Sequence, residues 1–173
     1  MRFELTPDSR VYVDLRASGL LRAVGHHPTL AARPEPTSID LDDGEVIVRF
    51  PVANIEPPAD LSESDRHKMM DNMRGADVLD AGRFPLIELR GRYEGTAVGG
   101  ELRGELVVRD QPYRIAMTVR ATDEWDVVVA TGTWEGKLTD LGVKPFTALF
   151  GALKLSDWIR LRIEGRLRKP STP

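Results

Sequence analysis

Cysteine is absent from this chain of 173 residues, which excludes a disulfide framework and any thiolate metal site and leaves the redox compartment open. Histidine is scarce, with three in all. Nowhere does an apolar run approach the ~20 residues of a membrane span, so no stable membrane insertion is expected. Residues Met1 to Arg10 hold no apolar stretch of the kind a secretory signal needs, and Glu4 and Asp8 stand where one would begin. A cytoplasmic location is the expectation. Charge is nearly balanced, 24 basic against 27 acidic side chains for a net charge of -3, so there is no general attraction to nucleic acid or to an anionic membrane. The Gly-x-Ser-x-Gly elbow, the P-loop, His-Glu-x-x-His and Gly-x-Gly-x-x-Gly are all missing. Gly99-Gly100 and Gly104 are followed by no helical pattern, so they do not suggest a nucleotide loop.

What fills the chain instead is strict alternation, the mark of strands with one buried face. Ile159, Leu161, Ile163, Gly165 and Leu167 fall on one side, and Arg160, Arg162, Glu164, Arg166 and Arg168 on the other. Val11, Val13 and Leu15 alternate in the same way, as do Ile87, Leu89 and Tyr93, then Leu102, Leu106 and Val108, then Tyr113, Ile115, Met117 and Val119. Ile39 and Leu41 lead through Asp43-Gly44 to Val46, Val48 and Phe50, which predicts a hairpin. About eight strands result. Two segments break the rhythm. Residues 61 to 74 read as a helix capped by Ser62 and stopped by Gly75, with Met69, Met70 and Met73 as its apolar stripe. Pro145 to Leu155, with Phe146, Leu149, Phe150 and Leu153 at helical spacing, reads as a second. No repeat and no shift in composition divides the chain, so residues 1–173 are expected to form a single domain.

An antiparallel sheet of this size must close or pair with a second sheet. Gly91, Gly100, Gly104, Gly136 and Gly165 on the apparent inner face suit the coiled strands of an all-β, eight-stranded antiparallel lipocalin-like barrel, and would leave space inside it. Pattern alone leaves open whether that interior is hollow or filled by side chains.

Adjacent His26 and His27 could hold a ligand's polar group, but neighbouring strand residues point to opposite faces and do not share one cation readily. No metal site is expected. The acids Asp65, Asp71, Asp77 and Asp80 sit on or near the first helix, where carboxylates cap and solubilise. Lys144 stands between a turn and an apolar stretch, a place suited to the mouth of a cavity. Met69, Met73, Met117, Trp134, Phe146, Phe150 and Trp158 offer broad, adaptable apolar surface.

Four stretches, in order along the chain, resemble the YceI-like family of bacterial lipocalin-like proteins, some of which bind polyisoprenoids or related lipids. They are Gly25-His26-His27-Pro28-Thr29-Leu30, the run Val78 to Leu89 with its Leu79-Asp80 and Phe84-Pro85, Leu102-Arg103-Gly104-Glu105-Leu106, and the long run Thr139 to Leu155. The resemblance implies an extended barrel with an apolar tunnel, helices near one end and often a homodimer. It implies no catalytic residue and no cofactor. The chain departs from the family in carrying His27 where an Asp is usual, and in the altered turn Arg109-Asp110-Gln111-Pro112. The expected function is binding of a hydrophobic small molecule, isoprenoid- or fatty-acid-like, with His26, His27, Met69, Met73, Met117, Trp134, Lys144, Phe146, Phe150 and Trp158 as contacts. Two alternatives stay open on the residues: a hydrolase or isomerase using His26 or His27, and a packed structural module working through a dimer face.

Overall fold

Alternating apolar residues become strands because each strand can then bury one face and leave the other in water. A computed structural model describes residues 2–18, 27–145, 147–148 and 153–169. Among them are the strands β1 (Arg2–Leu5), β2 (Arg10–Ser18), β3 (Thr29–Ala32), β4 (Ser38–Asp40), β5 (Glu45–Pro51), β6 (Ile55–Glu56), β7 (Leu86–Thr96), β8 (Gly99–Val108), β9 (Gln111–Glu124), β10 (Val127–Gly136), β11 (Thr147–Ala148) and β12 (Leu153–Arg168), and one α-helix, α1 (Glu63–Arg74). Nine strands lie side by side in the order β5-β7-β8-β9-β10-β12-β2-β3-β6, all pairs antiparallel. β1 joins the end of β12 and carries β4 on its other side, and β11 pairs with β12. The barrel is therefore lipocalin-like, as the alternation implies, but it has more than the expected eight strands. The additions are strands of two to four residues, too short to show a period.

The inward parity agrees with the sequence. Leu161 of β12 faces Val13 of β2 and Trp134 of β10 in register, and Leu89 of β7 faces Leu106 of β8 and Val48 of β5. These side chains, with Phe3, Leu15, Leu30, Ile39 and Phe50, belong to one continuous apolar core. Helix α1 starts where Ser62 Oγ accepts the Asp65 amide at 3.1 Å and stops at Gly75. It buries Met69, Met70 and Met73 against that core.

Two expected elements take another form. The Asp43-Gly44 turn is present, with Gly44 at φ +68°, but β4 and β5 form no ladder. β5 pairs instead with β7, whose Tyr93 amide donates to the Gly44 carbonyl at 2.7 Å, while β4 is taken by β1. Nor does 145–155 form a continuous helix: a 3-10 turn, Leu138–Leu141, precedes it, Thr147–Ala148 is extended and β12 already begins at Leu153. Phe146 and residues 149–152 lie outside the described residues. Helical spacing of four apolar residues does not distinguish a helix from strands interrupted by a loop.

The ladder lapses in two places. β5 and β6, the ends of the strand order, are consecutive in the chain, joined by the 3-10 turn Val52–Asn54. Between β5 and the preceding segment 34–41 the wall is held by Glu35 N donating to Arg49 O at 2.8 Å and Thr37 Oγ1 to Ile47 O at 3.4 Å, rather than by paired strands. The second lapse is between β9 and β10, whose pairing ends at Val119–Gly132. Below that point β10 stays with β12, and β9 stays with β8. Pro112 sits in this half of β9, opposite Val107 of β8 and with no strand on its other side. A residue without an N–H is tolerated in a strand at such an edge.

Candidate functional site

Among the described residues, two apolar chambers stand out in the barrel interior. One lies toward the end that carries the β7–β8 and β9–β10 turns. Its volume is about 140 Å³, and Val46, Val48 and Phe50 of β5, Leu89 and Tyr93 of β7, Leu102 of β8, Val119 and Ala121 of β9, Val128 and Ala130 of β10, and Ile163, Gly165 and Leu167 of β12 supply most of its wall. β1 and β4 contribute Phe3, Leu5 and Ile39. The other lies toward α1, has a volume of about 110 Å³, and is bounded by Val13, Leu15, Ile87, Leu106, Ile159 and Leu161 with Met73 from the helix and Leu138, Leu141 and Val143 below. No described residue borders both.

Successive inward positions of the same strands serve the two chambers: Ile163 and Leu161 on β12, Val11 and Val13 on β2, Leu89 and Ile87 on β7. Between them β9 places Ile115 and Met117, both buried and bordering neither space. In the same row on the adjoining strands stand two glycines, Gly104 of β8 paired with Ile115 and Gly91 of β7 paired with Gly104. A Cβ on Gly104 would stand 2.1 Å from Arg90 O, and one on Gly91 would stand 2.8 Å from Arg103 O, so β7 and β8 approach there as only glycine allows. The Met117 sulfur lies 3.2 Å from the place a Gly132 Cβ would take. Ile115 and Met117 thus form a waist in the barrel, with the closely approaching glycine pair beside them. Gly165 differs: the nearest atoms to its notional Cβ are 3.7 Å away or more, so its missing side chain does enlarge the turn-end chamber.

The polar groups at the turn-end wall are already occupied. Ser9 Oγ accepts the Arg166 amide at 2.9 Å, Arg10 donates to the Pro7 and Ser9 carbonyls at 2.6 and 2.7 Å, and Tyr93 Oη donates to Thr96 O at 2.7 Å. Burial raises the Tyr93 phenol above its ordinary pKa, which keeps it a donor. Glu164 lies on the outward parity of β12, between inward Ile163 and Gly165.

No protein-family description matches the chain, and no curated protein matches it in sequence. Solved structures do match it in three dimensions. Burkholderia cenocepacia BcnA superposes with a TM-score of 0.62 at 11% identity, over 93% of this chain and 96% of that one. The Campylobacter jejuni YceI protein gives 0.56 at 15% identity over 82% of each chain. A variant of that protein, solved with a monobromobimane guest, gives 0.58 at 14% over the same share. The fold is YceI-like.

Within this YceI-like barrel the residues that sequence singled out are scattered. Met73 borders the helix-end chamber, Met69 is wholly buried beside it on α1, and Met117 is at the waist. Trp134 is half-buried where β10 parts from β9, its indole lying over Gly136, 2.4 Å from where a Cβ would be. His27 and Lys144 are exposed. Trp158 is on the outer surface, with Arg16 stacked 3.8 Å from its ring centre and Arg160 at 5.6 Å. His26, Phe146 and Phe150 lie outside the described residues. The largest share of the chamber wall, the small and branched residues of β5, β10 and β12, was not singled out as a site. Their parity was legible, but nothing in a Val or Ala distinguishes a cavity wall from a packed core.

Among the described residues two carboxylates are buried, Asp80 after α1 and Asp14 on the outer face of the same YceI-like barrel. Asp14 on β2 accepts from Arg162 Nε at 2.7 Å, Arg160 Nε at 2.9 Å and Thr29 Oγ1 at 2.8 Å, tying β2, β3 and β12 together. The Arg162 hydrogen bond holds its carboxyl far below the usual range, against the opposing effect of burial and with help from Thr29 and Arg160. This group is satisfied by its own sheet and does not communicate with either chamber.

Proposed function

We propose that this chain binds a hydrophobic small molecule, isoprenoid- or fatty-acid-like in kind, inside the barrel and does no chemistry on it. The observation that carries this reading is the turn-end chamber: an apolar space of about 140 Å³ whose bordering hydroxyl groups, on Ser9, Tyr93 and Thr96, are turned to backbone partners. An apolar cavity of this kind stays dry, and one of about 150 Å³ accepts a benzene-sized guest. Burial of the guest supplies the driving force, about 25 cal/mol per Å² before the cost of association. Of the sequence candidates, Met117, unbranched and polarizable and paired with the wall residue Leu102, is the one placed to adjust to it.

The test is calorimetric titration with 1-octanol, together with native mass spectrometry of freshly purified protein for a co-purified apolar molecule. Gly165→Val and Ala130→Leu each push carbon into the chamber. Saturable binding that both variants abolish supports the reading; no binding to the parent protein, or binding that neither variant alters, rejects it.

A further inference from the structure

We infer that the turn-end chamber selects a short, uncharged ligand and rejects the ionised form of the same skeleton; this rests on the binding reading above and narrows it. The argument begins with charge. A carboxylate or phosphate drawn into the chamber loses its hydration, and only a donor or cation on the wall could replace it. The cation at this wall, Arg10, stands on the outward parity of β2 opposite Glu164 of β12, and its Nη1 donates to the Pro7 and Ser9 carbonyls. Tyr93 and Ser9 hydroxyl groups are likewise committed, to Thr96 O and to the Arg166 backbone. Among the described residues, the charged side chains bordering this chamber stand on the outward parity and its hydroxyl groups, Thr96 included, are bound to backbone, which leaves an apolar interior to receive the ligand.

Length follows from the waist. Ile115 and Met117 fill the level between the chambers, and Gly104 and Gly91 continue the row of Ile115 on the adjoining strands β8 and β7. A ligand in the turn-end chamber is therefore confined to about 140 Å³ and does not reach the further 110 Å³ near α1. That volume is close to the ~150 Å³ that accommodates benzene, so it suits a compact molecule rather than a long chain.

Geraniol, geranic acid and farnesol separate these points in one calorimetric series at pH 7.5. Geraniol and geranic acid share a ten-carbon skeleton and differ in head-group charge; farnesol adds five carbons. Geraniol is expected to bind at least about 100-fold more tightly than the geranate anion. Geranic acid should gain affinity as pH falls toward the ordinary carboxyl range near ~4. Farnesol is expected to bind no more than about threefold more tightly than geraniol, whereas full burial of five more carbons would strengthen binding on the order of 1000-fold. Met117→Ala, which opens the waist, should bring farnesol closer to that larger gain while leaving geraniol little changed. Equal affinity for geraniol and geranate overturns the charge selection, and a large farnesol gain in the parent protein overturns the length limit; in both cases hydrophobic binding itself stands. If none of the three binds, or if Gly165→Val changes none of the affinities, the binding reading fails and this inference with it.

Discussion

At the scale of single residues, the glycines show how one residue type serves opposite ends. Gly104 admits a neighbouring backbone to within 2.1 Å of its notional Cβ, so Gly104→Ala must separate β7 from β8. We expect a loss of about 3 kcal/mol, as for other overpacked sites, read from urea unfolding. A Cβ at Gly165 meets its neighbours only at ordinary contact distance, 3.7 Å or more, and Gly165→Val should leave stability unchanged or raise it by about 1 kcal/mol through the strand preference of Val while emptying the chamber of ligand. Asp14 makes a third case. Its carboxyl pKa is depressed in the folded chain, so its contribution is present in full above the unfolded value near ~3.9 and is lost as pH falls from there through the lower folded value. Asp14→Asn should cost about 2 kcal/mol at pH 7, the range for hydrogen bonds to charged groups. Unfolding at pH 7 and at pH 2.5 should show that difference shrinking with acid.

Among the elements, β9 and β10 part company below Gly132, and Trp134 lies in the angle between them. Trp134→Ala should lower stability by about 3 kcal/mol, the low end for large aromatic truncations because the ring is only half-buried, with a lower thermal midpoint as the measure. The parting also shows what sequence could and could not disclose. Strand faces were legible throughout, since Ile159 to Leu167 and Leu102 to Val108 sort themselves by parity without any knowledge of neighbours. Helix α1 was legible from Ser62, Gly75 and three methionines. Partner choice was not: Asp43-Gly44 makes its turn, yet β5 goes to β7, because the competition among strands is settled by contacts distant in sequence. Pro112 carried a usable signal, for a proline inside an alternating run marks a strand edge, and here the edge is where the barrel divides. The candidate site was legible only in outline. Aromatic and methionine residues attract attention by size, whereas the chamber is walled mainly by Val, Ala, Leu and Gly, and a cavity is defined by what those residues leave unfilled.

For the whole molecule, the distribution of apolar side chains around two spaces matters more than any one of them. A core of this length could pack solid; the waist at Ile115 and Met117 instead leaves volume on both sides. The wall around that volume is not uniform, and its seam has a kinetic signature. The Tyr93 amide reaches Gly44 O and the Val52 amide reaches Pro85 O, so even-numbered residues of β5 direct their backbone toward β7 and odd-numbered ones direct it the other way. Ile47 and Arg49 thus turn their amides toward segment 34–41, where the described bonds use their carbonyls. In deuterium oxide the amides of Val46 and Val48 should persist for as long as the sheet stays folded, while those of Ile47 and Arg49 exchange early. The barrel would then show a narrow unprotected stripe running along one wall, alternating residue by residue with some of its slowest protons.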